Sequence, residues 1–250
     1  MPRFFVDNKN IQGDHISIIG SEAHHMGTVL RLDVNNMVTL FDQDGTTYQG
    51  IIAKKNSTCI HVRIKEKTLC APHEVTPIVL GQSIPKGKKM DLIVQKAAEL
   101  GAAEIIPFYS MRSIPRFNAK KEEEKKGHWQ KICVEAGKQS GRLPIPTVEP
   151  IQNFNQLAKR SFNGFLKLIL WEEEKERQFR TVLKQNSSRG PIVFLVGPEG
   201  GFTKQEVALA LQNGFIATGL GKAILRTETV SITILSILQF EAGAFGSIDK

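Results

Sequence analysis

Two hydrophobic periods divide the 250-residue chain. Over roughly the first 70 residues, apolar side chains alternate or cluster in short runs. These are Ile16-Ser17-Ile18-Ile19, Val38-Thr39-Leu40-Phe41, residues 48–53 and residues 59–64. Such runs are the signature of half-buried strands. Asn35-Asn36, Asp44-Gly45 and Lys55-Asn56-Ser57 separate them as turns. Asp44-Gly45 predicts a hairpin, because both residues accept positive φ. Strands at this spacing predict a small β-barrel, interrupted by one short helix over residues 21–31.

Residues 67–76, with Pro72 and Pro77 nearby, are the expected linker, and beyond them the period lengthens. Ile78-Val79-Leu80-Gly81 reads as a strand. Met90, Ile93, Val94, Ala97 and Leu100 then share one face of a helix that Gly101 closes. Residues 104–108 predict a strand. Residues 118–141 predict a helix with Trp129, Ile132, Cys133 and Ala136 on one face and a solvated Lys/Glu run at 120–126. Residues 165–171, 191–196 and 215–220 predict three more strands, and Val230, Ile234, Ile237 and Leu238 the buried face of a last helix. Strands alternating with helices imply an α/β unit with a mostly parallel sheet. The expected division is therefore a β-barrel over residues 1–72 and an α/β domain over residues 73–250.

The run Ile192 to Val196 is continuous and β-branched, as a strand buried on both faces should be. It stops at Gly197-Pro198-Glu199-Gly200-Gly201-Phe202, and Thr203 with Glu206 has the spacing of a capping box. A strand, a glycine-rich turn and a helix place bare backbone at the carboxyl end of a sheet, where open α/β sheets bind ligands. A second such loop is Gly219-Leu220-Gly221-Lys222-Ala223-Ile224-Leu225-Arg226, leading into a helix that Thr227 is expected to cap. The two loops together, one carrying a fixed cation, describe a small-molecule pocket with an electrostatic handle.

Composition adds a partner class. Lys plus Arg number 33 against 25 acidic residues, for a formal charge of +8, which suits a polyanion such as nucleic acid. Cys59, Cys70 and Cys133 are widely spaced, so neither a zinc site nor a disulfide framework is expected. No stretch approaches the roughly 18 apolar residues of a membrane helix, and the first residues lack a signal-peptide run. A cytoplasmic protein with reduced thiols is expected.

Common catalytic motifs fail on spacing. Between Gly81 and Gly87 lies one residue too many for a phosphate-binding loop, and Lys89 stands where a magnesium-binding hydroxyl belongs. Gly219-Leu220-Gly221 lacks the third glycine of a dinucleotide fingerprint, Pro77 replaces the second histidine of a zincin, and Ser140 lies outside a nucleophile elbow.

The glycine loop at 197–202, the stretch Leu220-Gly221-Lys222-Ala223-Ile224-Leu225-Arg226-Thr227-Glu228-Thr229 and Lys96-Ala97-Ala98-Glu99-Leu100-Gly101 together resemble one family. It is the ribosomal small-subunit RNA uridine-N3 methyltransferases of the SPOUT superfamily. His24-His25 with Val29-Leu30-Arg31, Arg112-Ser113, and Gln139-Ser140-Gly141-Arg142 before Pro144 are similar to its other motifs, so the resemblance covers nearly the whole chain. Three positions depart from it. Lys138 stands where many members have glutamate, Val230 where alanine is common, and Asn35-Asn36 where a turn glycine is usual. Asparagine tolerates the left-handed region, and Lys138 would add charge facing RNA.

The resemblance implies a PUA-like barrel that binds RNA, joined to a SPOUT methyltransferase domain with a trefoil knot. It implies S-adenosylmethionine held by Leu170, Trp171, Glu172, Gly197, Pro198, Glu199, Gly200, Gly201, Leu220, Gly221, Ile224, Leu225 and Thr229. It also implies a homodimer acting on 16S ribosomal RNA within the small subunit, with no metal and no membrane. Arg226 is the expected catalytic residue, stabilising charge on the uracil carbonyls. Glu199 is either the proton acceptor or, in the favoured reading, an organiser of its loop. Arg3, His24, Arg31, Lys86, Lys88, Arg112 and Arg142 are the expected RNA contacts. For His24 and His25, packing competes with RNA contact. Two alternatives stay open: a knotted ribose 2′-O-methyltransferase, and a non-catalytic RNA-binding protein.

Overall fold

The computed structural model describes residues 3–56, 58–69, 76–186 and 190–245. The chain forms two units, Met1–His73 with Gly137–Ile145, and Glu74–Ala136 with Pro146–Lys250.

The first unit holds six strands. They are β1 (Arg3–Phe5), β2 (Ile11–Gln12), β3 (His15–Ile19), β4 (Met37–Phe41), β5 (Thr47–Lys55) and β6 (Cys59–Thr68). They form one curled sheet in the order β1-β4-β5-β6-β3-β2, whose ladder ends at β1 and β2. Alternation sets its faces: Ile60 and Val62 of β6 are buried, and Cys59 and His61, alternating with them, are half-buried. Phe4, Ile16, Met26, Leu40 and Ile52 join them in one core. Asp44-Gly45 sits in the β4–β5 hairpin with Gly45 at φ 85°, and Asn35 takes φ 70° as its side chain permits. The helix expected over residues 21–31 is shorter and two-part. α1 (Gly20–His24) passes into a π turn over His25–Val29, and Arg31, at φ 52°, ends it in the left-handed region.

Residues 137–145 group with this unit. Lys138 forms an ion pair with Glu22, both largely buried, so its charge is not offered to RNA as the sequence suggested. The linker expected over 67–76 begins later, since Lys67 and Thr68 still belong to β6, and residues 70–75, Cys70 among them, lie outside the described residues.

The second unit contains β7 (Ile78–Ser83), α2 (Lys89–Glu99), β8 (Glu104–Tyr109), α3 (Ala119–Ser140, whose last residues belong to the first unit), β9 (Thr147–Val148) and β10 (Gln152–Asn153). It continues with α4 (Phe154–Lys159), β11 (Leu166–Leu170), α5 (Phe179–Gln185), β12 (Ile192–Val196), α6 (Lys204–Gln212), β13 (Ile216–Thr218) and α7 (Thr227–Glu241). Its sheet runs β10-β8-β7-β12-β11-β13, with β9 beside β8, and every pairing is parallel. All six residues of the central β7 are buried, as a strand covered on both faces requires. α2 and α3 begin or end close to where periodicity put them, and α6 starts where the Thr203–Glu206 capping box put it. The short β9, β10, α4 and α5 carry too few residues to show a period.

The chain leaves β13 at one edge of the sheet and returns so that α7 packs on α2, β7 and β12. Ser231, Ile234, Leu235 and Leu238 form the buried face of α7, while Val230 is half-buried and Ile237 is exposed. Ile234 and Leu238 are buried as expected, while Ser231 and Leu235 take the buried places expected of Val230 and Ile237. Among the described residues no helix is long and apolar enough to cross a membrane, and no cluster of His, Cys, Asp or Glu is arranged to hold a metal ion. Cys133 lies in the core, where burial pushes its thiol up to about 12.

Candidate active site

β11, β12 and β13 are parallel neighbours, so their carboxyl ends fall together and the loops that leave them face one another. Residues 171–172 follow β11, residues 197–201 follow β12 and residues 219–226 follow β13. Among them lies a cavity of about 510 Å³. That volume is within the ~300–1,000 Å³ of small-molecule sites. Every expected cofactor residue except Thr229 lines it, and Arg226 does too.

Thr229 is exposed on the first turn of α7, while Thr227 and Val230 line the cavity. Positions 227 and 230 share a helix face, whereas 229 is turned about 200° away from 227. Thr227 is also not the cap. Arg226 holds the capping position with extended backbone and Thr227 opens the helix. The Thr227 hydroxyl instead donates to the Gly197 carbonyl at 2.7 Å and accepts from Gln82 Nε2 at 3.1 Å. Ser231 Oγ donates to Gln82 Oε1, so a buried polar network joins the end of β7 to the start of α7 and the loop after β12.

The glycine loop is held from outside as well. Thr203 and Glu206 make the expected capping box, and the Glu206 carboxylate also accepts the Met111 amide at 2.8 Å. Arg112 Nη1 donates to the Gly200 carbonyl at 2.6 Å, so this expected RNA contact braces the loop. Gly201 has φ 68°, and a Cβ there would overlap the Glu172 carboxylate. Only glycine meets both conditions without strain.

Glu199 has two donors: Lys89 Nζ at 2.9 Å and the Lys86 amide at 3.2 Å. Burial works to raise its pKa, but the Lys89 hydrogen bond and backbone donors win and hold the carboxyl below its ordinary value. The Lys89 ammonium is raised in return, first by the Glu199 hydrogen bond, and it reaches Glu228 at 3.5 Å. One cation thus joins the loop after β12 to the first turn of α7. An ionised carboxylate already engaged by two donors suits loop organisation better than proton abstraction. Sequence reading missed Lys89, Lys175, Val196, Thr218, Thr227 and Val230 as lining residues. Helical spacing from residue 227 carries the signal for Val230; nothing local marks Lys89.

The expected RNA contacts fall in both units. Lys86 and Lys88 are exposed beyond β7, and Arg112 lies on the loop after β8. Arg3, His24 and Arg31 are exposed in the first unit. Arg3 Nη1 donates to the Gly141 carbonyl at 3.3 Å, and burial lowers the pKa of the half-buried Arg142.

Comparison with known proteins decides the family. The family described as RNA methyltransferase domain matches residues 72–239, and the one described as RNA methyltransferase PUA domain matches residues 18–65. Ribosomal RNA small subunit methyltransferase E of Bacillus subtilis is 31% identical, covering 96% of this chain and 97% of its own. The chain belongs to the ribosomal RNA small subunit methyltransferase E family. A crystal structure of this methyltransferase E from Neisseria gonorrhoeae, bound to S-adenosyl methionine, is 32% identical with a TM-score of 0.83, covering 96% of this chain and 97% of that one. A Legionella pneumophila methyltransferase in complex with the same cofactor is 30% identical with a TM-score of 0.85, covering 95% and 96%. Membership in the methyltransferase E family makes the second unit a SPOUT methyltransferase domain and the curled sheet a PUA-like one.

Proposed function

We propose that this chain transfers a methyl group from S-adenosylmethionine to N3 of a specific uridine in the 16S ribosomal RNA of the small subunit. The observation that carries the reading is the cavity at the carboxyl ends of β11, β12 and β13, with an arginine at its lip, in a chain of this family. The cavity fits the cofactor chemically. S-adenosylmethionine has no phosphate, and the walls are mostly glycine backbone and apolar side chains; Glu172 offers a carboxylate to a cationic ligand, while Lys89, Lys175, Lys222 and Arg226 also line the cavity. When bound, it supplies an electrophilic methyl group on a sulfonium.

The protein's own residues supply alignment and charge. The network through Thr227, Gln82 and Ser231 ties the loop after β12 to the start of α7, so the walls that would hold the methyl donor keep one arrangement. Loss of the N3 proton places negative charge on the flanking base carbonyls, and Arg226 stabilises it as a preorganised cation. Glu199 organises its loop through Lys89. Arg3, His24, Arg31 and Arg142 of the amino-terminal domain, with Lys86, Lys88 and Arg112 of the catalytic domain, hold RNA phosphates in a salt-dependent way.

The working unit is a homodimer in the cytoplasm. Its support is exposed apolar side chains on two packed helices: Leu92 of α2 is 41% exposed in the single chain, and Ile237 and Phe240 of α7 are 36% and 71% exposed. Calorimetry with S-adenosylmethionine tests the cofactor: micromolar binding is expected, and no binding would favour a non-catalytic RNA-binding protein.

A further inference from the structure

The catalytic unit carries another cavity, of about 530 Å³, that shares no lining residue with the first. One wall is the carboxyl end of β8 and its loop, with Tyr109 and Arg116; the other is α4, with Asn155 and Lys159. Its one carboxylate is already consumed. Glu206 accepts the Met111 amide through Oε1, and the Thr203 amide and hydroxyl through Oε2 at 2.8 and 3.0 Å. The cavity therefore presents cations. The Arg116 guanidinium lies 4.5 Å from the Tyr109 ring centroid and donates to the Ser110 carbonyl at 2.9 Å, which fixes it as a planar platform. Among the described residues, Asn155 and Lys159 are exposed and make no side-chain hydrogen bond or ion pair.

Position ties this cavity to the first. All strands of the sheet are parallel, so both cavities open at its carboxyl edge. β8 lies two strand spacings from β12, about 10 Å. Exposed Lys86 and Lys88 follow β7, the strand between them. The loop after β8 touches both sites: Met111 and Arg116 line the second, while Arg112 holds the Gly200 carbonyl of the first.

We infer that the second cavity is a subsite for an RNA nucleotide flanking the target uridine, its phosphate held by Lys159 and Arg116 and its base stacked on the Arg116 guanidinium. The inference rests on the reading of the chain as an RNA methyltransferase. Cations with exposed amides and a stacking plane match a nucleotide better than an apolar ligand.

The test compares Lys159→Glu and Arg116→Ala with wild type for binding to small-subunit RNA across a salt series. Affinity is expected to fall about tenfold, with a salt slope shallower by about one. S-adenosylmethionine affinity should be unchanged, and KM for small subunits should rise at constant kcat. Arg116 also braces its own loop, so if Arg116→Ala unfolds, the exposed Lys159→Glu decides alone. Wild-type RNA affinity and slope in Lys159→Glu would overturn the inference. So would uridine monophosphate binding that depends on Lys159 when RNA binding does not. RNA binding that depends on Lys159 in a protein that transfers no methyl would support the subsite and overturn the proposed reaction.

Discussion

The Thr227 hydroxyl lies 2.7 Å from the Gly197 carbonyl oxygen, and this bond joins the first residue after β12 to the first turn of α7. Thr227 also accepts from Gln82 Nε2, whose other hydrogen goes to the Ser83 carbonyl, so its removal strands the buried Gly197 carbonyl and one Gln82 N–H. Thr227→Val should cost about 1–3 kcal/mol of stability. It should also weaken S-adenosylmethionine binding, while Thr227→Ser retains both properties. Thermal unfolding and calorimetry check this; a Val variant as tight and stable as wild type would contradict it.

Gly201→Ala attacks the same loop from the other side. Its φ of 68° strains any L side chain, and its Cβ would overlap the Glu172 carboxylate. The strain costs about 1–2 kcal/mol, and displacing Glu172 reshapes the cavity wall. Cofactor affinity should drop about tenfold or more, measured by calorimetry. An unchanged affinity would mean that this glycine is not part of the socket.

Lys89→Met separates organisation from chemistry through pH. The Glu199 pKa is lowered, so its contribution is present above the ordinary carboxylate value and is lost as pH falls through the lowered one. The Lys89 pKa is raised, so its contribution is present below the ordinary lysine value and is lost as pH rises through the raised one. The gap in melting temperature between wild type and Lys89→Met should be widest near neutral pH and close in acid. A gap independent of pH would contradict the pairing.

The exposed apolar side chains of α7 predict the assembly. Phe240→Glu places a charge where a second copy would pack, and sedimentation should report a monomer in place of a dimer. The variant should keep its fold, because Phe240 is exposed in the single chain.

Much of this architecture was legible in the amino acids, where a period is long or a residue type is forced. Ile192 to Val196 and the Thr203–Glu206 box announced both sides of the glycine loop because each is a local pattern. The two loops of the cavity were visible for the same reason. Lys89 was not: its partners Glu199 and Glu228 are more than a hundred residues away, and a lysine carries no mark of its pairing. Thr229, named from the family resemblance, lies off the cavity and Val230 on it, because the exact start of α7 sets which residues face inward. The grouping of Gly137–Ile145 with the first unit rests on contacts between distant segments, such as Lys138 with Glu22, which no local window shows.

Arg226 lines the cavity at the capping position of α7, exposed, with its backbone fixed by the turn into the helix. Arg226→Ala should abolish turnover and leave S-adenosylmethionine affinity nearly intact, because its contribution belongs to charge that develops only during transfer. Turnover at the wild-type rate would remove it from the chemistry.

The central claim is methylation of a uracil nitrogen, and it is tested most directly on small ribosomal subunits from cells lacking this protein. These are incubated with the purified enzyme and S-adenosylmethionine, and the RNA is digested and mapped by mass spectrometry. The account predicts one methyl on the base of a single uridine, at N3; a methyl on ribose, or none at all, would contradict it.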